Sequence, residues 1–427
     1  MTSRPLPPQP LLLRHYTATT CSGDGCQALL RDLLAMHSAL APCTFDTVDF
    51  ATCTGTVPDL ESSPLPAAWQ RFDCRNNRLA WRGLQADGFA QAVADAVRRY
   101  GPTRVATLLG TSTAGIYSTE LAYRQRDAQT GALPADFHYA ETHNTFSVAD
   151  FVRHALGLQG PAAVISTACS SSAKAFASGA RLLQAGLADA VVVGGVDSLC
   201  LTTLYGFRSL GLTSESPCKP FDAQRDGLSI GEAAAFALLE RLPDDVASLP
   251  PDSIVLRGYG ETSDAHHMSA PHPEGAGARA AMQGALQMAG LAPEDVDYIN
   301  LHGTATPAND AAEGLAVHAL FGAGTLCSST KGFTGHTLGA AGAVEAVVCA
   351  LALAQQFVPG SAGTQTLDPA IAVRYALQAQ RLSASQRPLQ PLRHVLNNSF
   401  GFGGSNCSLL FSRWQDCALS NEQEGRA

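Results

Sequence analysis

Short apolar runs closed by glycine or a polar turn recur along this chain, and they set its expected architecture. Arg104-Val-Ala-Thr-Leu-Leu-Gly110 reads as a buried strand, as does Ala162-Ala-Val-Ile-Ser166. The second of these runs into a small-residue turn and a helix predicted from about Ser170 to Leu187. Ala190-Val-Val-Val-Gly-Gly195 is a third strand. Farther on, Ser253 to Gly258, Val296 to Leu301 and Thr325 to Ser329 are predicted strands, and Gly339 to Gln356 is an alanine-rich helix. His394 to Asn398 and Cys407 to Phe411 read as paired strands. The first hundred residues are less legible: an extended lead-in at Pro5 to Pro10, a helix over Gln27 to Leu40, and another over Asn77 to Arg99. Strand, turn and helix thus alternate in both halves, with unusual polar residues just after strands, where sites gather in open α/β sheets. A weak duplication of about 103–250 in about 251–413 fits the pattern.

Composition narrows the picture. The 427 residues are 46% apolar and 15% charged, which implies a large core. Glycine is abundant (39) and aromatics make up only 7%, a mix suited to close backbone packing and unlike collagen, coiled coil or disordered chain. A formal charge of −9 argues against broad nucleic-acid or anionic-membrane binding, so an acidic partner would need a local basic patch. The twelve cysteines include no Cys-x-x-Cys pair and repeat no framework, which predicts a reduced, cytoplasmic chain. Met1 to Leu13 does not read as a signal peptide, and Ala346 to Ala354 falls short of the roughly 20 residues of a span, so a soluble protein is expected.

Three turns carry candidate chemistry. In Thr167-Ala-Cys-Ser-Ser-Ser172 the cysteine ends a strand and opens a helix, which predicts a nucleophile elbow with a thiol pKa lowered by the helix end. The other eleven cysteines read as small core hydrophobes. His302, in Asn300-Leu-His-Gly-Thr-Ala-Thr-Pro307, and His336, in Thr330-Lys-Gly-Phe-Thr-Gly-His-Thr-Leu-Gly-Ala-Ala-Gly342, both sit in glycine-rich turns after strands. Alone, each histidine would pass as structural. Together with an elbow cysteine they can donate Nε–H bonds to a carbonyl where negative charge builds. Asn398-Ser-Phe-Gly-Phe-Gly-Gly-Ser-Asn406 adds flexible glycines and free amides beside aromatic rings.

In these contexts Cys169, His302 and His336 resemble the Cys-His-His triad of β-ketoacyl-acyl-carrier-protein synthases, the elongating synthase II type in particular. The resemblance covers roughly Arg104 to Phe411. It rests on five motifs in order: Thr167 to Ser172, Lys219-Pro-Phe-Asp222 with Arg225-Asp-Gly227, His302 to Asp310, Lys331 to Gly342, and Asn398 to Asn406. It implies a thiolase-like α/β fold of two duplicated halves in an α-β-α-β-α core. Residues 1–250 would carry the nucleophile and 251–427 the two histidines.

The resemblance also assigns roles. Cys169 would hold the acyl chain as a thioester, while His302 and His336 bind the malonyl thioester carbonyl and promote decarboxylation. The amides of Cys169 and Phe402 would form an oxyanion hole, with Phe402 also a gate. Lys331 and Glu345 would be a supporting pair. Thr304 and Thr306 would bond the phosphopantetheine arm, with Phe400 beside it, and Thr113 would stand at the pocket mouth. Arg208 matches a carrier-docking position, and Arg124 and Arg126 could reach the rim. Phosphopantetheine would arrive on the acyl-carrier protein, with no cofactor or metal of the chain's own. The partners implied are that carrier and a second ketosynthase-like subunit, either a copy of this chain or a chain-length factor.

Several positions depart from the family pattern. They include Arg14 to Gly23, Phe72 to Arg78, Gly231-Glu-Ala-Ala234, and Thr113, where a bulky apolar residue is usual. These departures resemble synthases of polyene and aryl-polyene pathways. A catalytically silent chain-length partner is the alternative, although that class typically lacks the cysteine. A thiolase would need a second active cysteine where Gly335-His336 stands, and an initiating synthase would use Cys-His-Asn. A metal site at His266, His267 and His272 is conceivable, but Asp264 and Glu274 are the only nearby carboxylates at ligand spacing and no Cys joins them, so none is expected.

Overall fold

A computed structural model describes residues 9–381 and 391–417, so most of the Pro5 to Pro10 lead-in lies outside the described residues. The first half contributes β1 (Leu11–Thr19), β2 (Ala41–Pro42), β3 (Cys53–Gly55), β4 (Val105–Gly110), β5 (Ala162–Ile165), β6 (Ala190–Asp197), β7 (Ile230–Gly231) and β8 (Ala233–Arg241). The second contributes β9 (Ile254–Ser263), β10 (Tyr298–Asn300), β11 (Leu326–Ser328), β12 (Phe357–Val358), β13 (Arg374–Tyr375), β14 (Gln380–Arg381), β15 (His394–Gly401) and β16 (Ser405–Arg413).

The principal sheet has the order β13-β11-β10-β15-β16-β9-β1-β8-β6-β4-β5. It is two copies of one pattern. Along β1-β8-β6-β4-β5 the pairings run antiparallel, antiparallel, parallel, parallel. Along β9-β16-β15-β10-β11 they repeat that series. The copies join where Leu11 and Leu12 pair with Leu256 and Val255. The duplication therefore begins at β1, well before the predicted start near residue 103. No apolar alternation marks β8 because a central strand covered on both faces carries no polar side. Every residue of β8 except Arg241 is buried.

Between the two copies lie α6 (Ser171–Gln184) and α11 (Ala341–Gln355), which pack on each other and on strands of both halves. Outside them, α2 (Arg75–Gln85), α3 (Phe89–Tyr100) and α5 (Ser147–Ala155) cover the first copy, and α8 (Ala276–Ala289) covers the second with α9 (Pro307–Phe321) packed beside it. The result is the layered α-β-α-β-α arrangement. Its central layer explains the apolar stretch in the second half. Leu338–Gln355, rather than Ala346 to Ala354, is long and apolar enough to cross a membrane by length and composition, and 89% of it is buried in this core.

The helix predicted over Asn77 to Arg99 is broken at Asp87 and Gly88, whose φ values are 53° and 72°. Tertiary bonds hold the break: the Asp87 carboxylate accepts from the Thr17 hydroxyl and the Cys26 amide, both at 2.8 Å. All twelve cysteines are free thiols, and ten are buried.

Candidate active site

The elbow occupies the five residues, 166–170, between the end of β5 and the start of α6. Ala168 turns the chain at φ 52°, a left-handed value that costs a non-glycine residue energy and is held here by neighbours. The Thr167 amide donates to Ser171 Oγ at 2.9 Å, and the Ser171 amide donates to Ala168 O at 3.1 Å. Small side chains are a steric requirement. A Cβ on Gly110 would lie 2.3 Å from the Ser172 nitrogen, so only glycine lets β4 end against the start of α6.

Cys169 sits 5% exposed at this elbow. The backbone N–H groups of Phe402 and of Cys169 itself face its sulfur. The expectation of a lowered thiol pKa is corrected here: burial pushes the thiol up to about 11, the nearby Asp197 carboxylate adds to the rise, and Lys331 with the facing amides offsets only part of it. Desolvation of a thiolate outweighs the helix end, which begins only at Ser171. The resting group is a thiol.

Two neutral imidazoles face that sulfur. Cys169 Sγ and one ring nitrogen each of His302 and His336 lie within 4.8 Å of one another, and the two rings stand nearly perpendicular (86°) with centroids 5.2 Å apart. Burial, then the Lys331 charge, holds both histidines well below their usual pKa; His336 adds to the effect on His302. Their tautomers follow from their partners. The Leu338 amide donates to His336 Nδ1 at 3.1 Å, and the Lys331 ammonium stands 3.3 Å from His302 Nδ1. Each Nδ1 is thus an acceptor, so each neutral ring carries its proton on Nε2. Two N–H donors converge on one small space.

The surrounding groups hold this pair in place. Lys331 Nζ donates to the His302 carbonyl at 2.5 Å and pairs with Glu345. Burial raises Glu345 to about 7 against the pull of Lys331. Sequence reasoning missed Glu313, whose carboxylate accepts from the His302 and Gly303 amides, each at 2.8 Å, and from Asn398 Nδ2 at 3.1 Å. Burial lifts Glu313 to about 7 and Asp310 to about 6; the latter accepts from the Phe221 amide at 2.8 Å. Asp310 lies in the first turn of α9, where a carboxylate reads first as a partner for the helix N-terminus, and Glu313 farther along reads as an ordinary helix carboxylate.

The chamber at Cys169 encloses about 70 Å³ and is lined by both histidines, Thr304, Thr306, Phe400 and Phe402, among others. The Thr304 and Thr306 hydroxyls are 2.9 Å apart, and the Phe400 ring lies 6.0 Å from that of His302. Phe402 is half-buried, with its ring 5.6 Å from Phe207. A Cβ on Gly401 would meet Thr167 O at 2.7 Å, so the Phe402 turn reaches the elbow only through glycine.

One expectation fails. Thr113 does not line the chamber: it is 1% exposed, and its hydroxyl and amide both bond Asp197 at 2.9 Å. Thr111, Ser112 and Gly339 donate to the same buried carboxylate, so Asp197 ties together two loops behind the site. Arg124 is not a free rim charge, because Asp46 pairs with it at 2.9 Å. Arg208 and Arg126 are exposed. His266 and His272 place their rings 5.2 Å apart, and His267 accepts from the Ser269 amide at 3.2 Å.

A layered thiolase-like fold with a buried Cys-His-His cluster between its halves defines a class of condensing-type proteins. Residues 69–245 match the family model for the beta-ketoacyl synthase N-terminal domain, and 254–365 match that for its C-terminal domain. The chain belongs to the β-ketoacyl synthase family. It is 40% identical over 269 residues to the mitochondrial 3-oxoacyl-[acyl-carrier-protein] synthase of Arabidopsis thaliana, covering 60% of this chain and 57% of that one. It is 37% identical over 270 residues to 3-oxoacyl-[acyl-carrier-protein] synthase 2 of a Synechocystis strain, covering 61% and 63%. The match thus spans less than two thirds of these curated relatives. Among solved structures, a chain from the complex of the ketosynthase ApeO with its chain length factor ApeC, from Xenorhabdus doucetiae, superposes with TM-score 0.83 at 36% identity. That superposition covers 97% of this chain and 100% of the other.

Proposed function

We propose that this protein is a β-ketoacyl-acyl-carrier-protein synthase that carries out decarboxylative Claisen condensation. The observation that carries this reading is the pair of Nε2–H donors facing Cys169, each fixed by a bond to its own Nδ1. Acyl transfer forms a thioester at Cys169 Sγ, and the carrier's thiol leaves with the cysteine proton. The amides of Cys169 and Phe402 receive the charge on the acyl carbonyl oxygen. Malonyl-carrier protein then places its thioester carbonyl on the two Nε2–H groups. Its carbon–carboxylate bond breaks, CO2 leaves, and the electron pair becomes an enolate held by those donors. The enolate carbon attacks the acyl-cysteine, and the sulfur departs and regains a proton. No metal and no cofactor of the chain's own enters these steps.

Thr304 and Thr306, at the chamber wall, are suited to bond the amides of the phosphopantetheine arm. The ketosynthase–chain length factor complex among the similar structures supports a second ketosynthase-like subunit as partner, and the names of the curated relatives support acyl-carrier protein as substrate; in this reading the protein works in the cytoplasm. We keep polyene-type chains as the substrate class on the departures at residues 14–23, 72–78 and 231–234, since the buried Thr113 no longer speaks for them. Cys169 itself favours the enzyme over a silent partner.

Incubation with acyl-carrier protein should leave an acyl adduct on Cys169, read by mass spectrometry. Cys169→Ala should abolish condensation yet still release CO2 from malonyl-carrier protein, because the imidazole donors remain. An unacylated wild-type cysteine, or unchanged condensation in the variant, would refute the reading.

A further inference from the structure

A strap over residues 43–52 covers the far side of the site. The Cys43 amide donates to Thr52 O at 2.8 Å, so the segment leaves and returns at one point beside β2 and β3. It crosses from α4 (Ile116–Arg124) to α7 (Leu201–Ser209). On α4, Arg124 pairs with Asp46, and the Tyr117 ring lies 4.9 Å from that of Phe45. On α7, the Tyr205 hydroxyl donates to Asp49 at 2.8 Å and its ring meets Phe50 edge-on at 5.3 Å.

Beneath the strap, Phe45 closes a separate apolar cluster with Leu199, Leu204, Leu228, Ile230 and Leu338. Leu228 is also a wall of the Cys169 chamber, as is Phe207, which packs on the same cluster. On its other side Phe45 borders an open groove of about 370 Å³, shared with Tyr117 and Arg75. The chamber's own 70 Å³ is small beside the ~150 Å³ cavity that admits benzene. A chain longer than a few carbons must therefore displace something. The cluster behind Leu228 adjoins the chamber through Leu228 and Phe207, so a chain leaving the chamber on this side meets apolar side chains.

We propose that Phe45 is the stop for the acyl chain carried on Cys169, its ring separating the chain's path through the Leu228 cluster from the outer groove. This rests on the condensing reading above. On the groove side the stop is braced: the Arg75 guanidinium lies 5.2 Å from the Phe45 ring and is itself buried on Glu232, with Nε at 2.8 Å. The strap is the side that can yield. Each additional methylene accommodated favours binding by about fourfold.

The test compares wild type, Phe45→Leu and Phe45→Ala, each supplied with butyryl- and dodecanoyl-carrier protein and malonyl-carrier protein. Thermal melts verify that each variant is folded, and the leucine variant serves if the alanine one is not. The expected result is a rise of about tenfold or more in the dodecanoyl-to-butyryl ratio of kcat/KM. An unchanged ratio in a folded variant overturns the stop while wild-type condensation leaves the condensing reading intact. A wild type that forms no acyl-Cys169 overturns both.

Discussion

The Lys331 ammonium lies 2.5 Å from the His302 carbonyl oxygen and 3.3 Å from the same residue's Nδ1. One cation thus fixes both the backbone position and the tautomer of one histidine. Lys331→Met removes that bias and leaves Glu345 buried without its counterion, so Glu345 stays protonated. His302 can then present a bare Nε2 to the enolate oxygen for part of the time. Loss of one oxyanion donor costs about 10²–10³ in rate, and that drop is expected in CO2 release from malonyl-carrier protein. Acylation of Cys169 should fall much less. Nitrogen-15 shifts of the imidazoles would show the altered tautomer directly, and an unchanged His302 spectrum would contradict the assignment.

The buried thiol makes a second prediction. With its pKa pushed up to about 11, Cys169 is thiolate at only about one part in 10⁴ at pH 7. Because the thiolate is the attacking form, reactivity grows as protons leave. Alkylation by iodoacetamide should therefore climb close to tenfold per pH unit from pH 7 to 10, without levelling. A plateau near neutrality would mean that the helix end and the facing amides prevail over burial after all.

The chemistry-bearing turns were legible because each packs several constraints into a few residues. Thr167 to Ser172 needs small side chains at an elbow, and the histidine turns need glycine where backbones meet. Those requirements leave a mark at fixed spacing. What stayed hidden acts at long range. Glu313 reaches back eleven residues to the His302 amide, and Asp197 gathers donors from loops at 111–113 and 339. Nothing local distinguishes such acids from ordinary helix or strand-end carboxylates. β1 was missed for a related reason: its buried stretches at Leu11–Leu13 and Thr17–Thr19 flank exposed and half-buried Arg14, His15 and Tyr16, a pattern set by its bulge and not by alternation. The Phe45 strap, an irregular segment, has no periodicity to read.

Thr113 tests the difference between a mouth residue and a structural one. Thr113→Ile deletes a hydroxyl that donates to a buried carboxylate and adds bulk where the residue is 1% exposed. A lost bond to a charged group costs about 1.5–3 kcal/mol, and overpacking adds to it. Chemical denaturation should therefore report a loss of about 2–4 kcal/mol, while the preference between saturated and polyunsaturated chains of equal length stays as in wild type. Full stability with a changed preference would return Thr113 to the pocket mouth.

Carrier docking comes down to Arg208. The chain's formal charge is −9, so an acidic carrier is repelled at long range and must be met by a local cation. Arg124 is spoken for by Asp46, whereas Arg208 is exposed on α7, with its guanidinium 5.4 Å from the Phe50 ring and no carboxylate within 4.0 Å among the described residues. A charge at the rim acts mainly on encounter and is screened by salt. Arg208→Glu should weaken carrier binding by about tenfold at low ionic strength, chiefly through slower association. The deficit should shrink as the screening length falls from about 10 Å at 0.1 M salt to about 3 Å at 1 M. Arg124→Glu should behave differently, because it opposes Asp46 and loosens the strap; its effect should appear in thermal stability and persist in salt. Surface plasmon resonance of both variants across a salt series separates the two. Wild-type affinity for Arg208→Glu at low salt would place the carrier elsewhere on the surface.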